Sequence, residues 1–289
     1  MIKFVGVDLD GTLLNSEKMV TDENAKAIEA MENKGIKVTI FTGRSWISGR
    51  EYLKNIRSDI PAVFQNGAYI TTSKSNKVLR EVLLDATMAH EVIKKARIYD
   101  FFCFVTKDFL NVPDIIHEMD VPAHSKFAYY FKRNSPRMQK VKDVLKEVKG
   151  DVAGITWVGP LKEVKKVISE LSDIYKNEMT IIIDTILGEE VFVEFIGRNC
   201  GKETAMDFLL NYYDLSYDEA AFIGDSYNDV GALQLVSHPI AMGNSPREIK
   251  EMAEFVTHTN DENGFAHAVH NFILKESDLV DQNCHIDDQ

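Results

Sequence analysis

The sequence predicts an α/β protein: a doubly wound, Rossmann-like core built on a parallel sheet and interrupted by an inserted α+β domain. Two observations predict it. Apolar β-rich runs alternate with helical patterns at both ends of the 289-residue chain, which is the βαβ rhythm of a parallel sheet. Between the ends the rhythm changes to short apolar runs interleaved with charged helices, as an antiparallel sheet with its own core would show.

In order, the core pattern reads as a strand Phe4 to Asp8, a helix near Thr21 to Lys34, a strand Ile36 to Phe41, a short helix and a strand Ala62 to Phe64. It returns with a helix from Glu203 to Tyr212, a strand Ala220 to Ile223, a helix Val230 to Val236 and short strands Pro239 to Met242 and Phe255 to Thr257. The core is therefore expected to comprise residues 1–82 plus 189–275, with the insert at 83–188. The insert carries runs at Phe101 to Val105, Phe127 to Phe131, Gly154 to Val158 and Thr180 to Ile183, and charged helices at Arg137 to Val148 and Leu161 to Ile174. Residues 276–289 are polar and acidic and read as a frayed tail.

Composition narrows the function. No apolar run approaches the roughly 18 residues of a membrane helix. The N-terminus leads from a single Lys directly into Asp8, without a cleavage-site pattern. Cys103, Cys200 and Cys284 are widely separated and form no CxxC pair, which fits neither a disulfide framework nor a zinc site. A reducing cytoplasm is the expected location. A net charge of −12 argues against nucleic acid or an anionic membrane as partner. It leaves small anions open, because a metal ion, a lysine and helix N-termini can hold a phosphate locally.

The residues that carry chemistry fall at strand ends. Asp8 and Asp10, in Asp8-Leu9-Asp10-Gly11-Thr12, are two apart and face the same way beyond the strand's carboxyl end, where open α/β sheets bind ligands. Two carboxylates forced together ask for a hard cation such as Mg²⁺. A lone Asp-x-Asp is more often a solvated acidic turn, so this signal needs the others. Thr42-Gly43-Arg44 closes the second strand with a hydroxyl and a freed amide suited to phosphate oxygens. Lys202 opens a helix whose core face reads Ala205, Phe208, Leu209 and Tyr212; a cation there opposes the helix dipole unless an anion faces both. Gly224-Asp225-Ser226-Tyr227-Asn228-Asp229 again sets carboxylates and an amide between a strand end and a helix start, although Asn228 or Asp229 could serve simply as a helix cap.

This order of motifs resembles the haloacid dehalogenase-like superfamily over nearly the whole chain, most closely its Cof-like hydrolases, in which a cap domain is inserted between the second and third motifs. Gln65-Asn66-Gly67-Ala68, Ala241-Met242-Gly243-Asn244 and Thr259-Asn260-Asp261-Glu262-Asn263-Gly264 add to the similarity. Glu203 departs from it, since relatives commonly have Gly after the lysine. The resemblance implies a phosphatase in which Asp8 attacks phosphorus to give an aspartyl-phosphate and Asp10 acts as general acid, then base. It implies Mg²⁺ on Asp8, Asp225 and the Asp10 backbone carbonyl, and phosphoryl oxygens gripped by Thr42, Lys202, Asn228 and the amides of Leu9 and Gly43. Asp229 is expected to orient Lys202 or metal-bound water. The substrate is expected to be a small phosphorylated metabolite, with a sugar phosphate favoured and specificity set by the insert; oligomeric state is not legible.

Rival readings are weaker. A phosphomutase of the same superfamily would use the same residues but usually carries a different cap. A receiver domain would be shorter, with its phosphoacceptor at the third strand, where Gln65 and Asn66 stand here. A glycosyltransferase DxD normally follows a nucleotide-binding fold, and Asp8 follows only one strand. A non-catalytic phosphometabolite-binding protein should have lost a motif residue, and none is missing. His267 and His270 share a helix face without a third ligand and read as surface or packing residues. Phe101, Phe102 and Phe104 read as the insert's core, and Lys140, Lys142, Lys146 and Lys149 as a solvated helix face.

Overall fold

A computed structural model describes residues 1–175 and 177–274, so the expected tail at 276–289 and Cys284 lie outside the described residues. The chain divides into two compact units, Met1–Leu79 with Lys202–Gln289, and Arg80–Gly201. The strands, in chain order, are β1 (Phe4–Asp8), β2 (Lys37–Phe41), β3 (Pro61–Phe64), β4 (Tyr69–Thr72), β5 (Val78–Glu81), β6 (Phe102–Thr106), β7 (Ile115–His117), β8 (Met138–Lys140), β9 (Gly154–Pro160), β10 (Met179–Leu187), β11 (Glu190–Gly197), β12 (Ala220–Gly224), β13 (His238–Ala241) and β14 (Phe255–Val256).

The first sheet runs β14-β13-β12-β1-β2-β3-β4-β5. From β14 to β3 its neighbours pair in parallel, and β4 returns antiparallel on β3. The chain winds outward from β1 through β2 and β3, and in the other direction from β12 through β13 and β14. Between β1 and β12, therefore, the direction of winding reverses, and such a switch point opens a crevice at the carboxyl ends of its strands. Every residue of β1 and of β12 is buried, as a central strand covered on both faces must be. Helix Asp22–Asn33 is started by Thr21, whose side chain accepts from the Asn24 amide, and it buries Ala27, Ile28 and Met31. Helix Lys202–Tyr213 turns Ala205, Met206, Leu209 and Leu210 inward. Its inner face is thus rotated from the expected one: Phe208 is only partly buried and Tyr212 is exposed.

The second sheet runs β10-β11-β9-β6-β7-β8. It is antiparallel except for the β7 and β8 pair. The inserted unit is larger than the expected 83–188. β11 pairs with both β10 and β9, so residues 189–201 belong to this unit; the expected boundary between 188 and 189 falls in a hairpin turn, with Gly188 at φ +62°. Two further expectations fail locally. Phe127 to Phe131 is no strand: Ala128–Asn134 is a helix, in which Phe131 stacks edge-on against Phe102. The helix expected over Arg137 to Val148 is reduced to Val144–Glu147, because Met138–Lys140 is drawn into the sheet beside β7. The four lysines are exposed but share no helix face. Helix Leu161–Ile174 has the expected bounds and buries Val164, Val167 and Leu171.

Alternation along β6 divides the aromatic run between two apolar layers. Phe101 joins Trp157 on one face, and Phe102 and Phe104 join Phe131 and Phe192 on the other. One ion pair is set into this unit: Arg137 donates through Nε to Asp114 Oδ1 at 3.0 Å and through Nη2 to Oδ2, and Asp114 is fully buried. Removing one partner leaves the other charge buried without compensation, so Asp114→Ala should cost about 3–5 kcal/mol of unfolding free energy. Urea denaturation in a Trp46→Phe background, followed by the fluorescence of Trp157, measures this; a cost below about 1 kcal/mol, the range of a surface pair, contradicts it.

Candidate active site

The carboxyl ends of β1 and β12 flank the switch point and deliver Asp8 and, one residue past β12, Asp225. The turn after β12 is closed by Asp229, whose Oδ2 accepts from the amides of Asp225 and Ser226, both at 3.0 Å. That bonding leaves Asp229 Oδ1 facing the crevice. Here Lys202, at the start of its helix and only 1% exposed, places Nζ 2.6 Å from Asp8 Oδ1 and 2.6 Å from Asp229 Oδ1. The same ammonium donates to Asn228 Oδ1 at 3.3 Å.

Asp8, Asp225 and Asp229 each offer a carboxylate oxygen within 4.8 Å of the others. Burial pushes the Asp8 carboxyl well above its usual range, and repulsion from Asp229 and Asp225 adds to this against the pull of Lys202. Burial likewise raises Asp225, with Asp229 adding, to about 7. Lys202 loses solvation, but Asp229 and Asp8 outweigh that loss and keep it firmly charged. With all three ionised, three carboxylates against one ammonium leave two negative charges uncompensated, the charge of one Mg²⁺. Hard oxygen donors around an unbalanced charge are what such an ion selects. Asp225 is also aimed from outside the cluster: Thr12 Oγ1 donates to its Oδ1 at 3.0 Å, and Asn244 Nδ2 to its Oδ2 at 3.2 Å. Asn244 donates as well to the Gly11 carbonyl at 2.9 Å. Gly11, at φ +82°, passes so close that a Cβ there would overlap the Asp225 carboxylate.

The Asp10 side chain does not join the carboxylate cluster. Arg44 grips it with two bonds, Nε to Oδ2 at 2.5 Å and Nη2 to Oδ1 at 2.7 Å, and Lys18 Nζ adds a third at 2.8 Å. Burial pushes the Asp10 carboxyl up, but Arg44 and Lys18 outweigh it and hold it well below the usual carboxylate range. In this state Asp10 is a charged base rather than a loaded acid. Tyr52 supports the clamp, accepting from Arg44 Nη1 at 3.1 Å and donating to the Lys18 carbonyl at 3.3 Å. Thr42 stands at the end of β2, almost fully buried, and its hydroxyl accepts from the Arg44 amide at 3.1 Å. Leu9 is fully buried, and Gly43 lies in the bend between Thr42 and Arg44.

Sequence reasoning gave no role to Thr12, Lys18, Arg44, Asn66 or Asn244. Lys18 left no signal, since it reaches Asp10 only through the tight Asn15 to Met19 turn. The others stood inside quoted motifs, where their contacts depend on loops meeting in space. Glu203 does not crowd the lysine: its carboxylate fills the space above Gly231, where any Cβ would collide with it.

A family model described as haloacid dehalogenase-like hydrolase matches residues 5–269. The chain belongs to this family. It is similar to 5-amino-6-(5-phospho-D-ribitylamino)uracil phosphatase YwtE of Bacillus subtilis, 28% identical over 93% of this chain and 97% of the relative. It is also similar to the phosphatase YwpJ of the same organism, 26% identical over 92% and 98%. Among solved structures, a phosphatase of the superfamily from Bacteroides thetaiotaomicron superposes with a TM-score of 0.79 at 25% identity, covering 94% of this chain and 95% of that one. A second haloacid dehalogenase-like hydrolase from that organism, 23% identical over 94% and 99%, shares the fold at a TM-score of 0.77.

The cluster makes a prediction for this hydrolase in chelator. Lys202→Met leaves the carboxylates without their cation and should lower stability by about 3–5 kcal/mol at pH 8. A raised carboxyl pKa means that the folded state favours the protonated form, so the charge penalty applies above about pH 7, from the Asp225 value, and fades as pH falls through it. The deficit against wild type should therefore shrink at pH 6; thermal melts showing the same deficit at both pH values contradict this.

Proposed function

We propose that this hydrolase is a Mg²⁺-dependent phosphatase acting on a sugar or sugar-alcohol monophosphate through a covalent intermediate on Asp8. The observation that carries the reading is the buried Asp8, Lys202, Asp229 constellation beside Asp225 at the switch point. Two relatives named as phosphatases of a phosphoribityl compound, YwtE and YcsE of Bacillus subtilis, 28% and 27% identical, support the substrate class.

In this mechanism Asp8, with Asp225 and the backbone carbonyl of Asp10, would hold the metal, which would supply the positive charge that lets two anions approach each other. Asp8 attacks phosphorus, and the bond to the leaving oxygen breaks. Lys202, Thr42, Asn228 and the amides of Leu9 and Gly43 hold the transferring phosphoryl oxygens, where charge builds up. Asp229 keeps Lys202 charged and aimed. Asp10 gives the leaving oxygen its proton, then takes one from the water that splits the Asp8-phosphorus bond. To act as an acid it must first exchange Arg44 and Lys18 for a proton. The inserted unit supplies specificity, and a location in the cytoplasm is consistent with this metabolism; among the described residues no helix is long and apolar enough to cross a membrane.

Phosphate release from an aryl phosphate and from a panel of sugar and sugar-alcohol monophosphates, with Mg²⁺ or chelator, tests the reading. Activity should require Mg²⁺ and vanish in Asp8→Asn. In kcat/KM, which reports the step that expels the leaving group, Asp10→Ala should lose about 10²–10⁴-fold on alkyl phosphates and much less on the aryl ester, whose leaving group needs no proton. Turnover surviving Asp8→Asn, or equal losses of kcat/KM in Asp10→Ala on both ester types, contradicts the assignment.

A further inference from the structure

The turn that ends β3 is left-handed throughout, against the preference of Gln65. Gln65, Asn66 and Gly67 have φ of 45°, 51° and 91°, three successive left-handed residues of which two carry side chains. L-residues avoid this region, and Asn is among the few that tolerate it. All three are buried. Strain kept in a buried turn beside a reaction centre calls for a function, and the mechanism above assigns none to Gln65-Asn66-Gly67.

The turn holds two pieces of the site together. Its amides tie down the Thr42 loop, Asn66 N donating to the Thr42 carbonyl at 3.0 Å and Gln65 N to the Arg44 carbonyl at 2.9 Å. The Asn66 side chain reaches the other way, accepting from Asn228 Nδ2 at 3.1 Å. Asn228 in turn accepts at Oδ1 from Lys202 Nζ at 3.3 Å and from the Ser226 hydroxyl at 2.8 Å. β3 and β12 are separated in the sheet by β2 and β1, so Asn66 links strand ends that share no ladder.

The orientation of the Asn228 amide matters because its two ends are chemically opposite. With oxygen toward Lys202 it completes the ammonium's shell; flipped, it would set an N–H₂ donor against a cation and an oxygen against the Asn66 oxygen. Resting on the phosphoryl-transfer reading, we propose that Asn66 is a positioning residue, which through its side-chain oxygen fixes Asn228 with its acceptor on Lys202 and its amide hydrogens toward the Thr42 side of the crevice. The left-handed backbone at Asn66 is what aims that oxygen.

The test is a double-mutant cycle between Asn66 and Asn228, read in two ways: orthophosphate binding by calorimetry in Mg²⁺, and kcat/KM on an aryl phosphate. Asn66→Gly removes the carboxamide but accepts the left-handed backbone, so its melting temperature should stay near that of wild type. It should weaken phosphate binding and lower kcat/KM by about tenfold, as should Asn228→Ala, and the double variant should fall no more than about twofold below the weaker single, because residues acting through one contact are not additive. Asn66→Ala enters the same cycle if Gly loosens the turn. Phosphate affinity and kcat/KM within twofold of wild type in these variants overturn the inference, as do losses that multiply in the double variant, which would make Asn66 an independent or merely structural contributor. In both of those outcomes an active wild type that is silenced by Asp8→Asn leaves the phosphatase reading standing. A wild type that neither binds orthophosphate nor hydrolyses the ester overturns that reading, and this inference with it.

Discussion

The rest of the core is arranged around one buried ammonium. Lys202 is enclosed at the start of its helix, where the helix dipole alone would disfavour a cation, and it is kept there by Asp8 and Asp229 at 2.6 Å each. Neither acid alone would suffice: burying a lysine costs more than one contact returns unless its remaining hydrogens are also satisfied, and Asn228 takes the third. The arrangement then has a surplus of negative charge, which Asp225 enlarges. Hard carboxylate oxygens with surplus negative charge at the β1 and β12 switch point suit a divalent cation, which is the basis of the proposed function.

The constraint spreads outward through loops rather than strands. Asp229 can face Lys202 because its other oxygen closes the turn after β12. Asp225 is aimed by Thr12 and Asn244, and Asn244 is itself held by the Asn260 amide, which donates to its Oδ1 at 3.0 Å. Asp10, two residues from Asp8, is turned away into the Arg44, Lys18 and Tyr52 clamp. Two acids that the spacing places on the same side of a strand are thereby given opposite electrostatic surroundings, one next to other carboxylates and one between two cations. Such divergence is how a pair of identical groups acquires separate chemical roles.

Much of the core was legible because its signals are local. An apolar strand ending in an acid and a glycine, repeated at Asp8 and at Gly224-Asp225, needs no knowledge of the rest of the chain. Lys202 could be placed by its position at a helix start. What was not legible depends on long-range pairing: β11 joins the second sheet because the turn at Gly188-Glu189 is a hairpin, and that turn has the same composition as a domain boundary. Phe127 to Phe131 has the residues of a strand yet runs into the helix Ala128–Asn134, and its aromatic side chains pack against Phe102 and Phe192 on one face of the second sheet. Lys18 and Asn244 meet their acids only after several loops have folded over β1.

Chemical trapping shows whether Asp8 itself accepts the phosphoryl group, as proposed. Enzyme mixed with Mg²⁺ and a hydrolysable phosphate ester, quenched in acid during turnover and treated with borohydride, should yield homoserine at position 8 in the peptide mass spectrum, because borohydride reduces an acyl phosphate and leaves a free carboxylate untouched. Reduction at position 8 that depends on substrate is the predicted result. An unmodified Asp8 under conditions of rapid turnover, or reduction at another acid, would contradict the account.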